Sequence, residues 1–556
     1  MKTLFKIIPL AGMVLLCGSA FAQGILGGHV TGNIQLDGQI SHADTVIGAQ
    51  NVPEKLLSNS RADILYTNGN FSAGLRFEAY LNPMLGFDAR YKGAGIANYF
   101  ASYQSELLSV TAGNFYEQFG SGMILRAYED RYLGLDNSIR GLNVTLRPFK
   151  GVTLKALAGS QRFFWIYQTS SLVRGLDGEV NLNGIINSMA ESKLRLTFGA
   201  GFVSKYEPDE LITSIETPGY KLNLPRNVGA GAVRMDLNYG NWSLQAEYAH
   251  KGQDPNIMNN YIYRDGEALM VNATYSQKGF SANIQAKRND NMCFKSVRSE
   301  SGEMLYINYI PAITKQHTYA FLSMYPYATQ TTGEMGVQGD VMYKIKKGTL
   351  LGGKYGTDIH LNGAVITGID TNTLGGIGTD GYTSSWFKTG DLYYTDLSLE
   401  VAKKLSSSTK LTCTYGYQIF NPIVEGHGGD LHHNHVVVAD LTWKVSKKNV
   451  LRFEAEWMGS DSKYSRDVVD DKRCGDWIMG LVEYNFAGSW FISASDQYAY
   501  KDGIGNYYIV SVGYTHGATR LQLGYGKQRE GLLCIGGVCR PVPASNGLTF
   551  SLTTSF

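Results

Sequence analysis

The sequence predicts an all-β fold: a transmembrane antiparallel β-barrel of about 24 strands (range about 22–26), with short periplasmic turns, long external loops and one loop folded inward. Three observations carry this reading. Apolar and polar residues alternate one by one in segment after segment. Tight connections alternate with long ones along the chain. No stretch after the N-terminal leader is apolar enough for a membrane helix, which needs about 20 such residues.

The leader comes first. Lys2 and Lys6 precede an apolar run, and Ala20-Phe21-Ala22 places small residues where a signal peptidase reads them. Residues 1–22 are therefore expected to be a cleaved signal peptide and 23–556 the barrel, with the first strand near Ile25. Leu16 before Cys17 is too bulky for a lipoprotein signal. Without Lys2 and Lys6 the 50 basic residues become 48, against 48 acidic ones, so nothing points to nucleic acid.

Period 2 then defines the strands, because successive strand side chains point to opposite faces. In 71–82, Phe71, Ala73, Leu75, Phe77, Ala79 and Leu81 share one face, with Arg76 and Glu78 on the other. Segments 393–401, 437–445 and 450–457 repeat the pattern, the last with Arg452, Glu454 and Glu456 on its wet face. Eleven tight turns separate such segments: Asn68–Asn70, Gln104–Glu106, Phe149–Gly151, Asn187–Ser192, Tyr239–Asn241, Gln277–Gly279, Lys347–Gly348, Ser406–Ser408, Lys447–Asn449, Ala487–Ser489 and His516–Ala518. Their Gly, Asn and Ser content suits hairpins. Eleven turns at one end, with both termini there, imply 24 strands. Segment 318–330 has strand-like composition but no place in this parity; it belongs to a long external loop, 290–335, or folds inward. Leu548, Phe550, Leu552, Thr554 and Phe556 share a face of the last strand.

One stretch breaks the alternation. Residues 113–141 carry Glu117, Arg126, Glu129, Asp130, Arg131, Asp136 and Arg140. A lumen of this width leaks unless filled. Segment 116–138 is expected to fold into it, its glycines 120, 122 and 134 allowing sharp turns. Its charges would meet wall residues such as Arg76 and Glu78; Arg126, Glu129, Asp130 and Arg131 are expected to pair there, forming a constriction.

Other motifs carry less. Cys534 and Cys539 flank Ile-Gly-Gly-Val, a loop that a disulfide would close. HGGDLHHNH (427–435) has metal-ligand residue types, but a solvated loop explains it; alternation puts His433 and His435 on one face, His432 and Asn434 on the other. GGIGTDG (375–381) lacks the strand–helix context of a dinucleotide fingerprint. No spacing selects a nucleophile, base and orienter, so neither an enzyme nor a cofactor is expected.

FYEQFGSGMILRAYEDRYLGLDNSIRG (115–141), YIPAITKQHTYAFLSMYPYATQ (309–330) and CIGGVCRPVPASNGLTFSLTTSF (534–556) resemble an uncharacterised family of Bacteroidota outer-membrane β-barrel proteins. The resemblance spans essentially the whole mature chain. It implies location in the cell outer membrane and brings no substrate or site residues. Expected partners are outer-membrane lipid and lipopolysaccharide, the outer-membrane assembly machinery during biogenesis, and envelope proteins. Two functions fit: porin-like passage of small hydrophilic solutes, or a non-transporting structural or accessory subunit of an envelope machine for protein secretion, barrel assembly or surface-lipoprotein export.

Overall fold

A lipid-facing strand has no water to satisfy its backbone, so each N–H and C=O must find a neighbouring strand and the sheet must close. The chain meets this condition. The structure, a computed structural model, describes residues 27–213, 219, 221–461, 473–500 and 505–556. Twenty-four antiparallel strands form one closed barrel. Consecutive strands pair all the way round, from His29–His42 to Ser545–Ser555, and those two pair with each other, Asn33 opposite Ser555 through His42 opposite Asn546. The two-residue piece Ile166–Tyr167 pairs only with the end of Val152–Phe163. The expected signal peptide, 1–22, and the expected strand start near Ile25 lie outside the described residues.

All eleven expected turns fall between barrel strands. Two are longer than tight hairpins. Lys347–Gly348 sits within a connection running from 346 to 356, and Asn187–Ser192 follows the helical turn Leu182–Ile185. Segment 318–330 adds no barrel strands; it lies in the connection 291–332, between Phe280–Asp290 and Gly333–Ile345.

The outward face carries exposed Ile64, Leu75, Val233, Ile284, Val337, Leu397, Val437 and Val482. Near the periplasmic turns it ends in aromatic rows. Trp242, Tyr275, Phe280 and Tyr343 follow one another at ring-centroid distances of 4.7, 6.1 and 6.4 Å. Such rows suit the headgroup level, where an amphipathic ring has one apolar and one wet side.

The inward face is packed instead of open. Segment 116–138 buries Phe119, Met123, Ile124 and Leu125 against wall residues Leu157, Val173, Val203 and Ala249. Residues 291–332 place Met292, Phe294, Ile307 and Ile310 in that cluster and Phe321, Leu322, Met324 and Tyr325 in a second one, against Phe420, Val438, Met458 and Trp477. The two segments also pair through backbone: Arg126 N–H donates to Ile307 O at 2.8 Å, and Tyr309 N–H to Gly122 O at 2.9 Å.

The seam between first and last strands depends on small residues beneath aromatic ones. Gly32 and Phe556 exchange both backbone hydrogen bonds, at 2.9 and 3.0 Å. A Cβ on Gly32 would fall on the Phe556 ring, and one on Gly38 on the Phe550 ring. Gly38→Val should therefore destabilise the barrel by about 1–3 kcal/mol through overpacking. Heat-modifiable mobility on electrophoresis should show less folded protein, and adding Phe550→Ala should restore it. A G38V chain that folds like the wild type would show that ring and glycine are not matched.

Candidate functional site

The inner wall offers charge where neighbouring strands place it. Leu57–Asn68 and Phe71–Asn82 are paired so that Arg61 stands opposite Glu78 and Asp63 opposite Arg76. Facing carboxylate and guanidinium groups across a strand pair attract. Arg76 Nε lies 2.7 Å from Asp63 Oδ1. Each arginine keeps donors to spare, since guanidinium carries five.

Segment 116–138 supplies acceptors to those donors. Glu129 Oε1 lies 2.5 Å from Arg61 Nη1 and 3.1 Å from Arg76 Nη1. Asp136 Oδ2 accepts from Arg162 Nη1 at 2.6 Å, and Asp136 Oδ1 accepts from Ser138 N–H at 2.9 Å and from the Tyr116 hydroxyl at 3.2 Å. Arg162 also grips Glu78 through both terminal nitrogens, at 3.2 and 2.6 Å. One guanidinium thus joins the strand Phe71–Asn82 to the inward segment, and it is 1% exposed. Burial alone would raise the Asp136 carboxyl, but Arg162 and Arg76 outweigh it and hold it below the usual carboxylate range. This contribution is present above the unfolded carboxylate pKa and is lost as pH falls through the lowered one.

The segment's other charges have separate partners. Glu117 accepts from Lys155 Nζ at 2.8 Å and Asn143 Nδ2 at 3.0 Å. Arg131 donates to Gln35 Oε1 at 3.1 Å and lies 3.7 Å from Glu129. Four expectations need correcting. Arg131 meets no wall charge among the described residues, since Gln35 is neutral and Glu129 belongs to its own segment. Arg126 makes no ion pair among the described residues; it is sandwiched between the Tyr128 and Tyr309 rings, 4.3 and 4.0 Å from their centroids, where the segment 291–332 brings Tyr309 against it. Asp130 caps its own turn, accepting from Leu133 N–H at 3.0 Å. Arg140 is not lumenal. It shares the outward parity of exposed Leu142, opposite buried Ile139, and lies over the rings of Tyr99 and Tyr167 at 4.6 and 3.6 Å.

Sequence reasoning missed Arg61, Asp63 and Arg162. Arg61 and Asp63 were discoverable, since positions 61 and 63 alternate with Ala62 and Ile64 as positions 76 and 78 do with their neighbours. Arg162 ends its strand, where no pattern shows which charges it will meet. The segment 291–332 was missed as a partner for the same reason.

Space remains along one side. A cavity of about 610 Å³ is lined by Arg61, Glu78, Glu129, Arg131, Arg162 and Tyr80, and reaches Arg520 and Thr553 near the periplasmic turns. A second, of about 810 Å³, opens among the external loops beside His427, Glu530 and Leu532. The two share Phe87, Tyr91, Gly134, Leu135 and Arg540. A hairpin, Gly531–Ile535 with Val538–Val542, closed by a Cys534–Cys539 disulfide, lines the second cavity and reaches the first through Arg540. Its Arg540 donates to Tyr132 O at 2.8 Å, and Gly537 O accepts from Thr329 N–H at 2.9 Å, so it ties both inward segments. Of the histidines, buried His432 and exposed His435 lie on opposite faces; no group of three or more His, Cys, Asp or Glu able to hold a metal occurs among the described residues.

Arg162→Met leaves Glu78 and Asp136 buried without their shared cation, which costs about 3–5 kcal/mol. The urea midpoint of the folded barrel should fall, and trypsin should cleave more readily after Arg126 and Arg131. An unchanged midpoint with unchanged cleavage would show that this pairing does not hold the segment.

No curated protein matches the chain. Among solved structures it is similar to the siderophore receptor PirA of Pseudomonas aeruginosa, at 11% identity and a TM-score of 0.43 over 95% of this chain and 80% of that one. The P pilus usher PapC translocation pore is similar at 9% identity and a TM-score of 0.39, over 94% and 99% of the two chains. Acinetobacter baumannii OccAB3 is similar at 8% and 0.34, over 96% and 100%. The model of the family of unknown function DUF6029 matches residues 1–556, and the protein belongs to that family.

Proposed function

We propose that this barrel sits in the cell outer membrane of a Bacteroidota bacterium and passes small hydrophilic solutes along the polar channel beside its inward-folded segments. The observation that carries the reading is the pair of adjoining cavities, one opening among the external loops and the other reaching the periplasmic end of the wall. A filled lumen with one polar side passage suits size-limited passage better than a wide pore. Carboxylates and guanidinium groups line it together, and most are paired, so the path has little net field. It favours neutral or zwitterionic solutes over strongly charged ones. The reading involves no chemistry on the solute and no cofactor. Export by the signal peptide, insertion by the assembly machinery and contact with lipopolysaccharide belong to the same proposal.

A second reading is favoured by the apolar anchoring of the inward segments. Each fully buried Phe, Leu, Ile or Met side chain contributes about 1.5–3 kcal/mol, so the lumen filling is firmly held. A barrel closed this firmly also suits an accessory subunit of an envelope machine, acting with protein partners.

Replacing residues 118–136 by a short Gly/Ser linker separates the two. On the channel reading, the wild type shows small, stable conductance steps in planar bilayers, and the deletion enlarges them and raises uptake of hydrophilic antibiotics. A wild type that stays electrically silent and co-purifies with envelope proteins supports the second reading. Orientation is tested independently: Lys150, Lys278, Lys347 and Lys448 lie at the periplasmic end, so a membrane-impermeant amine label on whole cells should miss them. Labelling there would reverse the barrel.

A further inference from the structure

Arg288 and Asp290 belong to the strand Phe280–Asp290, whose outward parity is set by exposed Ile284. Both therefore stand on the face that meets lipid. Charged side chains on that face destabilise a barrel, the more so the deeper they lie. Here Arg288 is 5% and Asp290 1% exposed, so something covers them from outside.

The cover is a β-ribbon. The strands Thr357–Thr373 and Tyr382–Lys404 exceed the length needed to cross the membrane, about 9–11 residues. Their register shifts repeatedly between Ile366 and Thr371, where the ribbon leaves the barrel wall. Beyond that point it lies back across the outer face. Ser384 Oγ is 2.5 Å from Asp290 Oδ2, and the Tyr382 hydroxyl is 2.7 Å from Asp290 Oδ1. Arg264 spans Asp290 at 2.7 Å and Ser384 Oγ at 2.8 Å. The Trp386 ring sits 4.4 Å from the Arg288 guanidinium and 6.5 Å from Tyr248. At the tip, Tyr263 N–H donates to Thr379 O at 2.7 Å and Gly378 N–H to Tyr261 O at 3.1 Å.

Height follows from the strand. Phe280 belongs to the periplasmic aromatic row, and Arg288 lies eight residues above it. At ~3.3 Å per residue and a tilt of ~40°, that is about 20 Å, near the upper edge of an apolar band ~25 Å tall. Between Ser384, opposite Thr371, and Thr389, opposite Ile369, the second strand of the ribbon bulges. Ser384 and Trp386 touch the barrel through Asp290 and Arg288, while Phe387 in the bulge is 93% exposed with exposed Lys388 beside it.

We propose that residues 382–391 form an interfacial anchor, with Phe387 inserted among the acyl chains of the outer leaflet and Lys388 held by a lipid headgroup phosphate. An aromatic ring at this depth has acyl chains on its apolar side, and a long cation can reach up to the headgroups. The anchor shields Arg288 and Asp290 from lipid and extends the lipid-facing band beyond the barrel wall. It requires a membrane-inserted barrel and is independent of whether the barrel conducts.

Phe387→Trp tests the depth directly. The folded full chain is reconstituted into phosphatidylcholine/phosphatidylglycerol vesicles with and without bromine on the acyl chains near the headgroup. The emission that F387W adds over the wild type should be largely lost in brominated vesicles and resist aqueous iodide. Retained emission, or quenching by iodide, overturns the proposal, including the case in which Phe387 docks a protein. Trp386→Phe gives a second readout should F387W misfold: the emission it removes must also be sensitive to brominated lipid, and insensitivity overturns the proposal. Lys388→Gln should reduce bromine quenching in F387W, and more strongly with phosphatidylglycerol, whose phosphate charge no choline offsets. Equal quenching with and without the lysine removes the phosphate contact from the proposal.

Discussion

Backbone hydrogen bonding in a medium without water is the condition on which the rest of this molecule depends. A strand edge left open to lipid would expose a row of N–H and C=O groups, each costing several kcal/mol. The chain therefore pairs every barrel strand on both sides and returns its last strand to its first. Closure makes the seam a place where two distant sequence segments must fit. Gly32 and Gly38 fit under Phe556 and Phe550 because they lack a side chain.

Closing so many strands creates a second requirement, because the enclosed space is too wide for wall side chains to fill. Two external segments fill it. Their apolar residues do what a globular core does, and their polar groups are matched to the wall. The Glu456 carboxylate accepts from the backbone of Ala320 and Phe321, both at 2.9 Å. Arg162, Arg76 and Arg61 do the same for segment 116–138 with carboxylates. Apolar burial supplies most of the holding energy, while the buried ion pairs set where the segment docks, since a misplaced charge would be left unpaired in a low-dielectric space.

Filling is incomplete, with the larger gaps beside the seam and the disulfide-closed hairpin, and the proposed passage follows those. The same logic applies outside the wall. Charges on the lipid-facing side of Phe280–Asp290 are tolerated because a ribbon from the same chain covers them. Inside and outside, the chain uses its long external connections to shield groups that the barrel alone would leave exposed.

The strand count, the positions of all eleven turns and the amphipathic faces were legible in the sequence, because period 2 and turn chemistry are local. The inward face of Arg76 and Glu78 was legible for the same reason, and Arg61 and Asp63 carried the same signal. Only the tertiary structure decided which charges meet. Glu129 and Asp136 reach wall arginines, while Arg126, three residues from Glu129, is taken by tyrosine rings instead. Arg140 lies outside the barrel because, within Ile139–Leu146, it shares the parity of exposed Leu142 and alternates with buried Ile139. Contacts between residues 183 positions apart in the chain, such as Arg126 with Tyr309, depend on the barrel bringing their loops together, and no local pattern records that distance.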